Sequence, residues 1–474
     1  MAGITRRLAQ FVAGLSPEAL PLEVIARTRL LVMDLVGIML RARFDADSTP
    51  SLLRAAAELG LAQGAAPVVG EAGGYAPAGA ALVNGTLAHS LDFDDTHARA
   101  SVHPSAPIVP AAFAAAGMSG ADGRQLIAGI VAGYETQIRL SLALVPRDHY
   151  ERGFHPTATC GVFGAAAAAA RIFGLDAART ESAFGLCGSL AAGSLQFLAD
   201  GAWNKRFHVG AAAMNGLIAA LMAREGHRGA AEAIEGRHGF LHGYAPHSDS
   251  NQVVDGLGSR WETMAIGWKP YPCCRYSHAP IDALLALRAE HAIAPAEIEA
   301  VEIGVSRTGW TIIGDPEDAK RRPKNAVDGQ FSMSFCAAVV LRDGEFTWAS
   351  YARHLVDPQT LALARRVRCA PDPRPEAEFP RNMSGVARVQ TRRGEFERFV
   401  VVPKGEPDNF PSVAEMRAKF EGLAGPWLER EQIEPLEGAL LALDSLRDPD
   451  EVLRLTVPAA AAVRRAAASR MGAA

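Results

Sequence analysis

The residues best equipped for chemistry lie close together in the chain. Between Asn84 and Ser105 it places Asp92, Asp94 and Asp95 among His89, His97 and His103, with Thr86, Ser90, Thr96 and Ser105 supplying hydroxyls. Apolar residues run through the stretch, so part of it is expected to be buried. Buried acids and imidazoles are costly unless they serve one another, a metal or a reaction. Carboxylates beside imidazoles suit proton transfer, because histidine titrates near neutrality and a carboxylate fixes its protonation state. The plain alternative is a solvated helix end, which is what most charge runs are.

Four other groups can join the stretch. Gly153-Phe154-His155-Pro156-Thr157 sets His155 just before a helix, where backbone N–H groups favour an anion. Trp203-Asn204-Lys205-Arg206-Phe207-His208 offers Lys205 in a short loop between two helices. Lys269, Cys273, Cys274, Arg275 and His278 fall together where the chain changes texture, and Arg321-Arg322-Pro323-Lys324 is a dense basic loop. Taken singly, each is more often a satisfied structural residue or a solvated loop than a functional one.

The elements that must position these groups are mostly helices. Apolar periodicity predicts helices over 16–41, 51–59, 76–91, 111–117 (after Pro107 and Pro110), 157–173, 181–197 and 210–224, and a long one from Asp122 with Leu126, Ile130, Tyr134 and Ile138 on one face. The three aspartates are expected at or beyond the end of the 76–91 helix. Near Trp261 the texture changes. A helix over 281–291, a strand over 301–305, a helix over 332–341 and a hairpin of 386–391 with 396–402 follow, and helical texture returns after Pro411. The expectation is a mainly α protein: a large all-helical domain (residues 1–267 and 409–474) interrupted by a smaller α+β domain (268–408).

Composition narrows the class. A chain of 474 residues, 49% hydrophobic and 21% charged, has ample material for more than one core. Its 48 basic and 52 acidic residues give a net charge of −4 and no field for nucleic acid. Six cysteines without a CxxC spacing suit a reduced, cytoplasmic protein. Ser16-Pro17-Glu18 stops the first apolar stretch, which reads as an amphipathic helix and not an export signal. No run of about eighteen uncharged apolar residues occurs, so no membrane association is expected.

Motifs exclude more. Asp92-x-Asp94-Asp95 is similar to the aspartate-rich motifs of all-α prenyl-transfer enzymes, but those need a second acidic motif on a facing helix, and there is none. There is no HExxH, no GxGxxG after a strand, no Walker loop and no GxSxG elbow. A site of acids, histidines and lysine remains, with no metal and no cofactor called for.

Residues 84–97 with His103-Pro104-Ser105 resemble the MmgE/PrpD family, whose members include 2-methylcitrate dehydratases, cis-aconitate decarboxylases and iminodisuccinate epimerases. The likeness continues through residues 129–139 (GIVAGYETQIR), 153–157, 205–212, Lys269-Pro270-Tyr271-Pro272-Cys273-Cys274 and Pro403-Lys404-Gly405-Glu406-Pro407, nearly the whole chain. It implies a helical domain carrying an inserted α+β lid, a homodimer, and a small di- or tricarboxylate as substrate. It points to Asp92, Thr96, His103, His155, Lys205 and Lys269 as pocket residues. His103 is the first candidate for proton transfer, with His155 as its partner. Lys205 and Lys269 clamp carboxylates, Asp92 orients a histidine or lysine, and Thr96 hydrogen-bonds the substrate. Cys274, Arg275 and His278 are placed in substrate binding.

Two departures weigh against cis-aconitate decarboxylation: Cys274 stands where decarboxylase members carry histidine, and phenylalanine stands near 331–335 where a tyrosine is expected. The activity implied is a lyase of the 2-methylcitrate dehydratase type. An epimerase of an imino- or amino-dicarboxylate, a decarboxylase, and a carboxylate-binding homologue without turnover are the alternatives.

Overall fold

The computed structural model describes residues 3–459 and is mainly helical, with a smaller α+β portion. It divides into two units, one formed by the chain up to Ile266 and again from Ser412, the other by Gly267–Pro411.

The first unit is built on close helix crossings, and glycines permit them. A Cβ at Gly85 would lie 2.9 Å from the Gly210 Cα, and one at Gly210 would lie 2.4 Å from the Leu82 carbonyl oxygen. Pro77–Ala88 and Asn204–Arg224 therefore cross backbone to backbone, which sets the chain after Ala88 beside the first turns of the second helix. Gly133 and Gly164 do the same for Gly123–Ala143 and Gly161–Ile172. Leu22–Asp45 lies along this bundle, and the returning Val413–Ala424 packs on it. Ile4–Gly14 buries Leu8, Ala9 and Val12, as an amphipathic helix should. Two short strands, β1 (Ala66–Pro67) and β2 (Gly74–Tyr75), pair antiparallel.

Helix bounds differ from expectation where chain breakers were read too strictly. Ser105–Ser119 starts well before residue 111: Pro107 falls in its first turn, where a missing N–H costs little, and Pro110 is carried inside. The 181–197 segment is the helix Ala177–Leu190, capped by Asp176, followed by the short 3₁₀ turn Leu195–Ala199. Asn204–Arg224 is long and apolar enough to cross a membrane by length and composition, a helix that a search for uninterrupted apolar runs misses because Lys205, Arg206 and His208 open it. It packs against Pro77–Ala88, Ser105–Ser119, Gly161–Ile172 and Ala177–Leu190.

The second unit holds a four-stranded sheet ordered β4-β3-β5-β6, from β3 (Ile298–Val305), β4 (Val367–Pro371), β5 (Gly385–Thr391) and β6 (Gly394–Val400). β3 runs parallel to β4 and antiparallel to β5, and β5–β6 is the expected hairpin. Val301, Ile303 and Val305 bury one face against a core shared with His278–His291 and Met333–Asp343. β4 was not anticipated; Val367 and Cys369 turn inward with Arg368 between them facing out, an alternation too short to read as a strand.

Candidate active site

The acidic stretch ends one helix and leads into another. After Ala88 the chain turns through residues 89–104 before Ser105–Ser119 begins. Asp92 holds φ at 51°, a left-handed conformation that short polar side chains tolerate better than most. A bridge between His97 and Val102 closes the loop. Asp95 accepts a hydrogen bond from the Ser105 N–H at 3.1 Å, and Ser105 Oγ lies 2.5 Å from both Asp95 Oδ2 and the Tyr134 hydroxyl. Burial and the neighbouring Asp94 push Asp95 up to about 8, so it braces the loop as a neutral acid. Lys419, from the returning C-terminal helix, donates to the Phe93 carbonyl at 3.0 Å and pairs with Asp34 at 2.8 Å.

Within this frame four imidazoles form a chain. His89 Nδ1 is 2.7 Å from Asp94 Oδ2, and His103 Nδ1 is 3.3 Å from the same oxygen. The His89 ring centroid lies 4.7 Å from that of His103 and 5.7 Å from that of His155. His155 Nδ1 is 2.8 Å from His208 Nε2. Lys205 and His208 are three apart in the first turns of one helix and so share a face. There Lys205 Nζ meets Asp92 Oδ1 at 2.5 Å.

Burial sets the charges. It drives His89 down to about 4 and, with Lys205 and other imidazoles nearby, holds His208 at about 3 and His155 well below its ordinary value. All three are neutral at pH 7. Burial alone would raise Asp94, but His89 and His103 outweigh it, and its carboxyl falls well below the usual range. An ionised Asp94 is thus held among imidazoles, able to stabilise positive charge arriving on either neighbour. His89 Nε2, Asp94 Oδ1 and Thr96 Oγ1 are buried without a hydrogen-bond partner among the described residues. The ligand atoms of His89, Asp94 and His103 all lie within 4.8 Å of one another, close enough to share a metal ion.

The structure therefore brings Asp92, His103, His155 and Lys205 into one neighbourhood, and Thr96 stands in the same loop. Two expectations need correction. Lys205 is not in a loop but in the first turn of a helix, because Gly201 at φ 71° ends the preceding turn early enough for Trp203 to cap the next. The helix after His155 is a single turn, Pro156–Thr159, whose Ala158 and Thr159 N–H groups already donate to the His155 carbonyl, so they are not open to an anion. His89 and Asp94, present in the opening stretch but given no role, and His208 join the site residues. The spacing of Lys205 and His208 was the available signal for the last.

The other expected residues belong to the second unit. Lys269 is buried there at 2% exposure. Cys274 donates its N–H to the Gln330 carbonyl at 2.9 Å. Arg275 pairs with Glu406, and its Nε and Nη1 are buried without a hydrogen-bond partner among the described residues. His278 opens a helix, with Nε2 3.3 Å from the Cys273 carbonyl oxygen. Phe335 packs in the core between Phe346 and Tyr351, so a phenylalanine there is a packing choice. In the basic loop, Arg321 donates to the Val367 carbonyl and pairs with Glu317, a structural use.

The MmgE/PrpD N-terminal domain matches residues 6–252 and the MmgE/PrpD C-terminal domain residues 271–442. The chain belongs to the MmgE/PrpD family. A cis-aconitate decarboxylase-like protein of Aspergillus oryzae is 28% identical over 95% of this chain and 97% of its own. The cis-aconitate decarboxylase of Aspergillus terreus is 26% identical over 96% of each. The human cis-aconitate decarboxylase is 28% identical over 64% of this chain and 62% of its own. These likenesses support a lyase-type role at the level of the MmgE/PrpD family.

Proposed function

We propose that this chain is a lyase that needs no cofactor and acts on a small di- or tricarboxylate, removing the proton beside a carboxylate and expelling water, as in 2-methylcitrate dehydratases. The observation that carries the proposal is the buried Asp94 carboxylate held between His89 and His103, with the Lys205–Asp92 pair in the same neighbourhood. Removing an α-proton leaves negative charge on carbon, which needs fixed positive charge and donors aimed at it. Lys205 supplies the charge. His103 takes the proton as the C–H bond breaks, and Asp94 stabilises the imidazolium as the carboxylate of a catalytic triad does. The carbon electron pair then forms the double bond, the C–O bond breaks, and the proton on His103 leaves with the hydroxyl as water. His155 and His208, both neutral, offer hydrogen bonds without opposing that charge. Thr96 holds a substrate oxygen, and Lys269, Cys274, Arg275 and His278 are assigned to substrate binding.

A second reading, decarboxylation of cis-aconitate, is favoured by the names of the relatives. Cys274 and the phenylalanine near 331–335 weigh against it. Proton NMR in D₂O with 2-methylcitrate, citrate, cis-aconitate and amino-dicarboxylates separates them. Water loss with a new alkene signal supports the proposal; loss of CO₂ from cis-aconitate replaces it with the second reading; α-deuteration without elimination replaces it with an epimerase. His103→Ala is expected to lower turnover roughly 10²–10⁴-fold, and near-normal turnover would remove His103 from the mechanism.

A further inference from the structure

We propose that His89, Asp94 and His103 form a binding site for a zinc-class divalent cation, and that the bound ion silences proton transfer instead of assisting it. The silencing rests on the role given to His103 above; the binding does not.

Two imidazole nitrogens and a carboxylate oxygen, all within 4.8 Å of one another, are a three-donor set. Zinc takes such a set at about 2.0–2.2 Å per bond and leaves its fourth position open, which puts neighbouring donors a little over 3 Å apart. Here Asp94 Oδ2 lies 2.7 Å from one imidazole nitrogen and 3.3 Å from the other, so two of the three donor pairs are already close to that spacing. Imidazole with carboxylate selects zinc, copper, nickel or iron over magnesium and calcium.

The buried polar atoms add a second, independent observation. Among the described residues Asp94 Oδ1, on a side chain that is 0% exposed, has no hydrogen-bond partner, so an ion would meet a buried carboxylate oxygen still open to it. The same observation separates an inhibitory site from a resident one. A metal-bound histidine in a permanent site anchors its other ring nitrogen on a carboxylate or carbonyl. His89 Nε2 has no such anchor, so the site holds its ion reversibly. Once bound, the ion occupies the lone pairs of the Asp94–His103 pair that proton transfer requires.

The test uses chelator-treated full-length protein with cobalt(II) chloride or zinc sulfate alone. Cobalt is expected to give visible d–d absorption that saturates at one ion per chain and is displaced by zinc. X-ray absorption of the zinc form is expected to show two imidazoles and a carboxylate. Asp94→Asn, with folding checked by circular dichroism, is expected to weaken binding more than about 100-fold, and His208→Gln is expected to bind as wild type. No saturable cobalt signal, a zinc shell without imidazole, or a folded Asp94→Asn that binds as tightly as wild type would overturn the site. One zinc per chain is expected to abolish turnover. Binding at these three ligands with turnover intact would overturn the silencing alone and would indict the role of His103, not the site.

Discussion

Two charged networks buried in the helical unit, one around Arg139 and one around Asp94, are finished differently. Around Arg139 every polar atom is used. Its Nε meets Glu135 at 3.1 Å, and its two terminal nitrogens donate to the carbonyls of Asp255 and Arg260 at 2.6 Å. Glu135 in turn accepts from the Glu262 and Thr263 N–H groups and the Thr263 hydroxyl. Around Asp94 the pairing stops short, leaving His89 Nε2, Asp94 Oδ1 and Thr96 Oγ1 without partners among the described residues. Buried polar groups normally find partners, so the incomplete network is the one with work outside the fold. The complete one fastens the polar 247–260 segment to the helix Gly123–Ala143.

If that contrast is sound, equivalent damage should produce opposite symptoms. Asp94→Asn keeps the shape and a hydrogen bond to His89 but removes the charge that stabilises an imidazolium. It is expected to lower kcat roughly 10²–10⁴-fold with little change in melting temperature. Steady-state kinetics beside a thermal melt checks both, and a large loss of stability at normal turnover would place Asp94 with the structural network. Arg139→Met should do the reverse. It strands Glu135 as a buried, unpaired charge and is expected to cost about 3–5 kcal/mol in urea unfolding, with kinetic constants of the folded fraction unchanged.

How much of this the sequence discloses depends on how far apart the partners lie. Asp92, Thr96 and His103 sit in one loop, and Lys205 and His155 lie in motifs with recognisable neighbours, so the family resemblance could point to them. Asp94 and Asp95 are adjacent and indistinguishable as letters; only folding sends one to two histidines and the other to Ser105 and Tyr134. Lys419 reaches Phe93 across 326 positions, a contact no local period can announce. The two-unit outline was legible because helical periodicity gives way to strand alternation near Trp261. β4 was not, because a short strand with few inward side chains carries little pattern.

Acid should separate the networks next. His89 is depressed by burial to about 4, against about 6.5 for an unfolded histidine. Between those values the unfolded chain binds the extra proton and the folded one does not. The stability His89 contributes is therefore complete above about pH 6.5 and is lost as pH falls towards 4, by about 3 kcal/mol. His208, at about 3, extends the loss to lower pH. Urea unfolding at stepped pH should show this slope in wild type and a shallower one in His208→Gln; an unchanged slope would mean that these rings are not buried neutral.

The smallest effect draws the contrast most sharply, because it concerns single hydroxyls. Thr263 Oγ1 donates to Glu135 at 2.8 Å, so Thr263→Val removes a hydrogen bond to a buried charge and is expected to cost about 1.5–3 kcal/mol. Thr96 Oγ1 is buried with nothing to bond, and valine keeps its shape without the unmet polar group. Thr96→Val should therefore stabilise the fold by about 1 kcal/mol. If the Thr96 hydroxyl holds a substrate oxygen, the same change raises KM while kcat moves less, since that contact is made in ground and transition state alike. A stabilised protein with weaker substrate binding is the signature of a group kept for function at a cost to the fold. A Thr96→Val protein that is less stable, with KM unchanged, would move Thr96 into the class of Thr263.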